Sequence, residues 1–580
     1  MKNSRISTIF HDIAKILEIK GDNIFRIRAY ERAAQNIEGL TEDIEGYIKE
    51  DRLTEIPGIG KDISEKIKEI VKTGKLKALA DLKKTIPGGL LDLLNIPSVG
   101  PKTAKLLYEK LKIKNISDLE KAIRKNKLGG IFGIKEKTIE NISKGIELLK
   151  RGRERMTLAR AVLVADEFVN ALKKLPEVEK ISTAGSLRRQ KETVRDIDIL
   201  VISHKPKKVM QAFTSSPLVR DVLAEGQTKA SVRTKEDIQV DCRVLEEKSF
   251  GAALLYFTGS KNFNIKLRQL AIKKGLKINE YGVFSAAGGS ASGGRKDRLI
   301  AGKTEEEIFK LLGMSFIVPE LREDGGEVEL AREFKLPRLI ELKDLKGDFH
   351  VHSQWSDGGN TIEEIVHACQ KRGYSYVAIT DHSQSLKIAG GLSIADLKKK
   401  RREIDKINKR LKGFRILYGA EVDIDSDGNL DYKDEILKEF DIVVAAIHTG
   451  FKQPKGQLTK RIVKACKNKY AHIIAHPTGR LLGARDAYDI GLEEILEVAR
   501  ETNTQLEINA FPQRLDLNDL NCHRAKEAGV KLALGTDAHT TEQLEAMKLG
   551  ISVARRGWLS CEDVINTLSV EELLKVLNKR

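Results

Sequence analysis

The hydrophobic pattern divides this chain of 580 residues into a helical beginning and a second half in which strands and helices alternate. Near the N-terminus, apolar residues recur three or four positions apart, the spacing that places them on one face of an α-helix. They are Ile6, Ile9, Phe10, Ile13 and Leu17, followed by Ile27, Tyr30, Ala34 and Ile37. This pattern predicts a small helical domain within residues 1–80.

The second half, from about residue 347, contains seven short apolar runs that each end in polar residues. Helical stretches separate most of them, such as the one that begins with a Thr-x-x-Glu capping box at Thr361. The runs cover residues 348–352, 377–382, 416–421, 442–448, 473–476, 506–509 and 532–539. Ligand-type residues at the C-terminal ends of such strands are typical of a β/α barrel with its site on that face.

A strand-like run between these halves carries two carboxylates, Asp196 and Asp198, which a period of two places on the same face. A third, Asp241, lies in a second strand-like run. The preceding turn, Gly185-Ser186, offers backbone N–H groups and a hydroxyl to a phosphate, because glycine has no Cβ. Together these features predict a two-metal nucleotidyl-transfer site that binds Mg²⁺. A lone Asp-x-Asp would instead favour solvated residues of an edge strand.

A glycine-rich turn is repeated in the helical part. It occurs as Ile56-Pro57-Gly58-Ile59-Gly60-Lys61 and as Ile96-Pro97-Ser98-Val99-Gly100-Pro101-Lys102, each time before a helical pattern, with a weaker third copy at Phe132-Gly133-Ile134-Lys135. Such a turn exposes backbone N–H groups at the positive end of a helix dipole, which suits a phosphate. One copy would more often be an ordinary helix–helix turn. Two copies, each with a lysine, resemble helix-hairpin-helix modules, which implies sequence-independent binding of a DNA backbone by Gly58, Gly60, Lys61, Gly100 and Lys102.

Composition supports a polyanionic partner. The formal net charge is +18 and the pI is about 9.3, although a ribosomal or membrane-surface protein could share this charge. The five cysteines are scattered and form no Cys-x-x-Cys, which argues for a reducing compartment without disulfides or a zinc knuckle. The sequence has no run of 18 apolar residues and no signal-peptide pattern, so a cytoplasmic protein is expected.

Residues 1–330 resemble the family X DNA polymerases of the nucleotidyltransferase superfamily. The resemblance is carried by the Gly185-Ser186 turn, the three aspartates, and the stretch Tyr256-Phe257-Thr258-Gly259-Ser260 with Asn264 and Arg268. It implies that Asp196 and Asp198 ligate both metals, Mg²⁺ or Mn²⁺, and that Asp241 ligates only the one at the primer 3′-hydroxyl. The implied nucleotide contacts are Gly185, Ser186 and Arg189 for the triphosphate, Tyr256, Phe257 and Gly259 for the sugar, and Asn264 and Arg268 for the minor-groove edge. The alternative for either Tyr256 or Phe257 is an ordinary side chain of the hydrophobic core.

The first domain, residues 1–80, also resembles the lyase domain of DNA polymerase beta. The resemblance places the Schiff-base lysine at Lys66, with Tyr30 and Glu65 in supporting positions. This chain has Asp62 and Arg26 where the family has lysines, so the alternative is a surface lysine that contacts phosphate.

The remaining predicted domains of this half follow in order. They are a second helix-hairpin-helix subdomain at 81–150, a palm at 151–249, a thumb-like subdomain at 250–318 with a glycine-rich loop at 288–294, and a linker at 319–346.

Residues 347–580 contain nine potential metal ligands, and six of the chain's eleven histidines are among them. The ligands are His350, His352, Asp357, His382, Glu421, His448, His476, Asp537 and His539. A single histidine after a strand is more often structural, but a converging set of imidazoles and carboxylates suits Mn²⁺, Zn²⁺ or Fe²⁺. This half resembles the PHP family, which implies a distorted seven-stranded barrel with three metals that hydrolyses phosphoesters. Arg480 and Arg485 would hold a substrate phosphate or solvate the rim.

The predicted fold is therefore a multidomain α+β polymerase followed by an α/β PHP barrel. The predicted function is a bacterial or archaeal family X polymerase that fills short gaps in base excision repair. It would act as a monomer on gapped or primer–template DNA with deoxynucleoside triphosphates, and its PHP domain would be a 3′-5′ exonuclease, an abasic-site endonuclease or a 3′-phosphatase. The alternative is a DNA-binding phosphoesterase whose polymerase-like region is not catalytic.

Overall fold

The computed structural model describes residues 3–38, 44–56, 58–96, 99–129, 131, 134, 136–285 and 298–577. Most of the weaker third glycine turn, Phe132, Gly133 and Lys135, lies outside the described residues, as does the predicted loop at 288–294. Among the helices that are described, none combines the length and the apolar character needed to cross a membrane.

Helices form the N-terminal region, which confirms the helical prediction. The apolar residues that carried the prediction pack inside, with Phe10 and Tyr30 rings 5.9 Å apart. The region has two separate hydrophobic cores. The first is formed by buried residues between Ile6 and Leu79. The second is formed by buried residues between Leu90 and Ile146, together with Ile19 from the first helix. The helices are α1 (Asn3–Lys20), α2 (Ile24–Glu38), α3 (Ile44–Lys49), α4 (Lys61–Thr73), α5 (Lys77–Lys84), α6 (Pro101–Leu111), α7 (Ile116–Arg124) and α8 (Glu136–Glu154).

A five-stranded sheet follows. The elements of this region are β1 (Met156–Thr157), α9 (Leu158–Lys173), β2 (Val178–Thr183), α10 (Gly185–Arg188), β3 (Thr193–Val194), β4 (Asp196–Ser203), α11 (Pro206–Thr214), β5 (Val219–Glu225), β6 (Lys229–Thr234) and β7 (Gln239–Leu245). The order of strands in the sheet is β2-β4-β7-β6-β5, with β4 and β7 parallel and the other neighbours antiparallel. Helices α9 and α11 pack together through Phe168 and Phe213, whose rings are 5.3 Å apart.

The next subdomain packs helices and a small sheet around its own core. Its elements are α12 (Phe250–Thr258), α13 (Lys261–Lys273), β8 (Leu276–Asn279), β9 (Gly282–Ser285), β10 (Leu299–Ala301) and α14 (Glu305–Leu311). The segment predicted as a linker is folded: it contains a 3₁₀ turn at Pro319–Leu321 and α15 (Glu327–Arg332). Arg322 is fully buried there and pairs with Glu305.

The last region is a nearly closed barrel of seven parallel strands in sequence order, as predicted. A bridge between Val351 and Ala538 brings the first and last strands together. The capping box at Thr361 is present. The elements are β11 (Gly347–Val351), α16 (Ile362–Lys371), β12 (Tyr376–Ile379), α17 (Ile394–Asn408), β13 (Arg415–Asp423), α18 (Asp434–Leu437), β14 (Ile442–Ala446), α19 (Lys455–Lys467), β15 (Ile473–Ile474), α20 (Leu492–Glu501), β16 (Gln505–Asn509), α21 (Asp519–Glu527), β17 (Leu532–Gly535), α22 (Met547–Arg556) and α23 (Val570–Leu577).

Candidate active sites

The three aspartates of the palm meet on neighbouring strands. Strands β4 and β7 are parallel, and their register pairs Asp198 directly with Asp241. Asp196, two residues before Asp198, shares its face of β4. Asp241 accepts hydrogen bonds from Ser231 on β6 and, at 3.3 Å, from the Gln239 side-chain amide. The structure thus brings together all three carboxylates that the sequence singled out.

The charge of this cluster is poorly compensated. Burial, and then the charges of Asp196 and Asp241, raise the pKa of Asp198 to about 7. Gly185 lies against the same carboxylate: it has φ +65°, and a Cβ there would come 2.6 Å from Asp198 Oδ2. Only glycine permits this approach. Three crowded carboxylates beside an open backbone turn fit divalent cations, which would relieve their repulsion.

We expect Asp198→Asn to stabilise the protein against unfolding when divalent metals are removed. The folded-state pKa of about 7 lies above the ordinary value of 3.8, so ionisation penalises the folded state increasingly from about pH 4 and fully above about pH 7. The neutral amide avoids this penalty, which we place on the order of 1–3 kcal/mol. Calorimetry with a chelator at pH 4.5 and pH 8 should show a clearly larger gain at pH 8, where the penalty is complete. An equal gain at both pH values, or the same behaviour in the exposed control Asp221→Asn, would contradict the argument.

The turn after β2 contacts the thumb-like subdomain. The Arg189 guanidinium pairs with Glu323 at 2.9 Å and donates to the Thr258 carbonyl, and a Cβ on Gly259 would lie 3.2 Å from it. Ser186 is half-buried in the same turn. The predicted triphosphate residues and Gly259 therefore lie together, with Arg189 held by a carboxylate.

Two helices carry the other predicted nucleotide contacts. Tyr256 is exposed, whereas Phe257 is half-buried with the Arg243 guanidinium 4.4 Å from its ring centroid. Phe257 therefore contributes partly to the hydrophobic core, the alternative considered for one of these two aromatics. Asn264 donates to the Tyr256 carbonyl at 2.7 Å, and Arg268 donates to the Asn264 carbonyl at 3.2 Å. Hydrogen bonds therefore link Tyr256, Asn264 and Arg268, and the Phe257 ring lies edge-on to Tyr256 with 5.2 Å between the ring centroids.

Both described glycine turns lead into helices as predicted. Gly60 and Gly100 are the extended N-cap residues of α4 and α6, and neither helix has a side-chain cap at this end. The backbone N–H groups of the first turn, which begin at Lys61 in α4 and, because Pro101 has none, at Lys102 in α6, are therefore available to an outside acceptor. Lys61 and Lys102 are exposed beside them, and Gly58 has φ +78°. This geometry suits contacts to DNA phosphates.

Lys66 faces a small pocket that Tyr30 and Arg26 also line. It forms an ion pair with Asp62, one helical turn earlier. Glu65 pairs with Lys68 at 3.2 Å. Of the two residues expected to support Lys66, Tyr30 lines the same pocket, whereas Glu65 is paired with another lysine.

All nine predicted ligands of the barrel converge on one centre. Glu421 occupies its middle: its carboxylate oxygens lie 2.8 Å from His382 Nδ1 and 3.0 Å from His476 Nε2. Three clusters are close enough to hold metal ions: His352, Asp357, His382 and His539; His350, His352 and Asp537; and His382, Glu421 and His448. Asp357, which lies in a loop, joins the first of them.

The polar atoms of this centre fit metal ions. Among the described residues, buried atoms without a hydrogen-bond partner include His350 Nε2, both ring nitrogens of His352, His382 Nδ1 and Glu421 Oε2. Unpaired buried polar atoms are costly, and their concentration here indicates missing partners. Burial and two neighbouring imidazoles lower the pKa of His352 to about 4, which keeps the ring neutral and able to bind metal.

Two supporting carboxylates were missed by the sequence analysis. Glu507 on β16 contacts His350 Nδ1 at 2.6 Å and accepts from the His476 backbone N–H. Asp423 pairs with His448 Nδ1. Carboxylates commonly orient metal-binding histidines in this way. Asp423 follows Glu421 by two residues and so shares its face of β13, a signal that the sequence contained.

The expected phosphate role of Arg480 is wrong in this structure. Its buried guanidinium donates to the Arg514 carbonyl at 3.0 Å and pairs with Glu192 of the palm at 2.7 Å. Arg485 donates to the Gly479 carbonyl and covers the Phe451 ring. Arg514 instead points to the centre, 3.3 Å from Asp537. No motif marked Arg514.

Four family models match separate parts of the chain. They are a helix-hairpin-helix domain at residues 1–76, a SAM-like helix-hairpin-helix tandem at 90–147, the DNA polymerase beta thumb at 253–323 and the PHP domain at 348–511. The thumb match extends five residues past the expected end at 318. Divalent metal use follows from this combination and from the barrel clusters.

Curated relatives extend these matches. The chain is 40% identical over 581 residues to DNA polymerase/3'-5' exonuclease PolX of Bacillus subtilis (strain 168), and the similarity covers 100% of both chains. It is 32% identical to a probable phosphatase of Thermoanaerobacter sp. (strain X514) over 38% of this chain and 89% of the relative. It is 25% identical to DNA polymerase lambda of Rattus norvegicus over 55% of this chain and 56% of the relative. The full-length similarity shows that the chain belongs to the family X DNA polymerases that carry a C-terminal PHP domain.

Proposed function

We propose that this protein is a DNA-directed DNA polymerase that fills short gaps during base excision repair and trims 3′ ends with its PHP barrel. It acts as a cytoplasmic monomer on gapped or primer–template DNA. One observation supports the polymerase activity most directly. The parallel strands β4 and β7 place Asp198 opposite Asp241, and Asp196 lies on the same face. The Bacillus subtilis relative, named for both activities, supports the combination.

In the palm, Asp196, Asp198 and Asp241 hold Mg²⁺ or Mn²⁺. When bound, these ions stabilise the charge that develops on the phosphate. The Gly185-Ser186 turn presents its backbone N–H groups to the triphosphate. When the nucleotide binds, Arg189 leaves the Glu323 carboxylate and contacts a phosphate oxygen instead. Both acceptors are anionic oxygens, so the guanidinium keeps a charge-assisted hydrogen bond.

The other nucleotide contacts lie on α12 and α13. Tyr256, Phe257 and Gly259 face the sugar, and Asn264 and Arg268 follow the minor-groove edge of the new base pair. The hydrogen bonds between Asn264 and Tyr256, and between Arg268 and Asn264, hold these groups in one arrangement before substrate arrives. The N-termini of α4 and α6, with Lys61 and Lys102, bind the DNA backbone without reading sequence.

In the barrel, the three ligand clusters hold three divalent ions, of which Mn²⁺ fits the mixed imidazole and carboxylate donors, with Zn²⁺ and Fe²⁺ as alternatives. Bound ions supply an activated water and charge stabilisation for phosphoester hydrolysis. Glu507 and Asp423 orient His350 and His448 toward them. Arg514 lies at the rim, where its guanidinium can orient a substrate phosphate.

A 3′-phosphatase is the second candidate for the barrel, because probable phosphatases match this half of the chain. The ligands determine the chemistry but not which end of DNA is cut. Incubation of 3′-labelled and 5′-labelled primer–templates with Mn²⁺, with and without deoxynucleotides, tests both functions. Extension with nucleotides and stepwise 3′ shortening without them support the proposal. Failure to extend would favour the non-catalytic polymerase alternative, and phosphate release alone would favour the phosphatase.

We expect Lys66 to act only weakly as a lyase nucleophile, because the ion pair with Asp62 holds the nitrogen that would have to attack the sugar. Asp62→Asn should increase borohydride trapping on DNA with a 5′-deoxyribose phosphate by about two- to fivefold, the effect of removing an ion pair worth up to about 1 kcal/mol. Lys66→Ala in the Asp62→Asn background should abolish the adduct. An adduct that survives would assign the chemistry to another lysine.

A further inference from the structure

The loop that joins the phosphate-binding turn to the metal strand is held by the PHP barrel. Arg556 donates to the Arg189 carbonyl at 2.8 Å, and Ser552 donates to the Gln190 side-chain carbonyl at 2.9 Å. Arg480 pairs with Glu192 at 2.7 Å. Three of the four residues from 189 to 192 are therefore bonded to side chains that come from the barrel, a different part of the chain.

This loop needs support from outside. Gln190 has φ +55°, in the left-handed region that residues other than glycine rarely adopt. The Glu192 carbonyl accepts from the Leu158 N–H at 2.9 Å, so the loop also sets the start of α9. Any shift of residues 189–192 would move Arg189 at one end and Asp196 at the other.

Arg556 has a second connection to Arg189. It is buried at the end of α22, with 4% of its side chain exposed, and it pairs with Asp519 at 2.6 Å. It also contacts Glu323 Oε1 at 3.1 Å, the oxygen that Arg189 Nε contacts at 2.9 Å. When Arg189 turns to a triphosphate, Glu323 keeps a cationic partner. Arg556 therefore makes the release of Arg189 easier.

We infer that the PHP barrel is a structural part of the polymerase site: Arg556, Ser552 and Arg480 are positioning residues that hold the 189–192 loop and thereby place Arg189 for the incoming nucleotide. One continuous set of buried apolar residues from palm and barrel backs these polar contacts. The inference rests on the proposed role of Arg189. It assigns the barrel a task in nucleotide addition that is separate from hydrolysis.

The test uses the full chain and Arg556→Gln, because Arg480 also supports the Arg514 segment of the barrel centre. We expect the KM for deoxynucleotide to rise about tenfold, as misplacement of a substrate-binding group predicts, with a smaller change in kcat. Arg556→Lys restores the charge beside Glu323 and should give an intermediate KM. Exonuclease activity on single strands should match the parent, since Arg556 does not touch that centre.

Arg555→Gln is the matched control, because Arg555 contacts Glu320 and the Ile340 carbonyl but not the loop. A parental KM in folded Arg556→Gln, or the same rise in Arg555→Gln, would overturn the inference. If Arg556→Gln does not fold, Ser552→Ala decides: a raised KM supports the inference and an unchanged KM refutes it. A parent that does not extend primers would refute the proposed polymerase function instead.

Discussion

Replacement of Asp241 by alanine is expected to lower nucleotide addition by about 10³-fold. Asp241 faces Asp198 across β4 and β7, and Ser231 and Gln239 orient its carboxylate. In the proposed mechanism, the variant lacks the carboxylate that would hold the metal ion beside the primer 3′-hydroxyl. Metal stabilisation of transition-state charge is worth several kcal/mol, and each 1.36 kcal/mol is a factor of ten in rate.

Single-turnover primer extension at saturating Mg²⁺ measures this loss. DNA affinity should not change, because the proposed backbone contacts come from the N-termini of α4 and α6, outside the palm. Asp221→Ala is the control, since Asp221 is exposed on β5 of the same sheet and pairs with Arg220. Comparable rates for Asp241→Ala and the parent would remove Asp241 from the metal site.

The sequence predicted the barrel well because its signals are local. Each strand is a short apolar run, and the step of two residues is enough to place His350 with His352 on a shared face. Asp537 and His539 follow the end of β17, with φ +55° at Asp537, and still reach the same centre. Sequential parallel strands then bring all C-terminal ends to one face of the barrel. Even Asp357, in a loop, joins the centre, because the loop is short and begins at His352.

Contacts between distant elements could not be predicted in the same way. Arg480 follows the predicted ligand His476 by four residues, which suggested a phosphate role, yet it pairs with Glu192, 288 residues earlier in the chain. Nothing in the local pattern identifies so distant a partner. The segment at 319–346 was predicted as a linker from its acidic, glycine-bearing sequence, and its folding depends on distant contacts in the same way. Arg322 is buried because it pairs with Glu305 and lies beside the Phe263 ring of the thumb-like subdomain. Periodicity shows which face is buried but not what covers it.

The complementary prediction concerns the barrel. His382→Ala should reduce 3′-5′ degradation by about 10³-fold, because His382 belongs to two of the three ligand clusters and its loss weakens both. It is buried, and its Nδ1 lies 2.8 Å from Glu421 without forming a hydrogen bond. The purified variant should also contain less bound metal, a readout that does not depend on activity. Primer extension should stay at the parental rate, since the contacts to the 189–192 loop come from α22 and Arg480.

A 5′-labelled strand with Mn²⁺ and no nucleotides measures the degradation, and elemental analysis measures the metal. His367→Ala is the matched control, because His367 lies exposed on α16 of the same barrel and outside the ligand clusters. Asp241→Ala should show the reverse pattern, with degradation intact and extension lost. A His382→Ala protein that shortens DNA as fast as the parent would place the nuclease outside the barrel, because a cluster of nine converging ligands cannot lose its shared histidine without losing metal affinity.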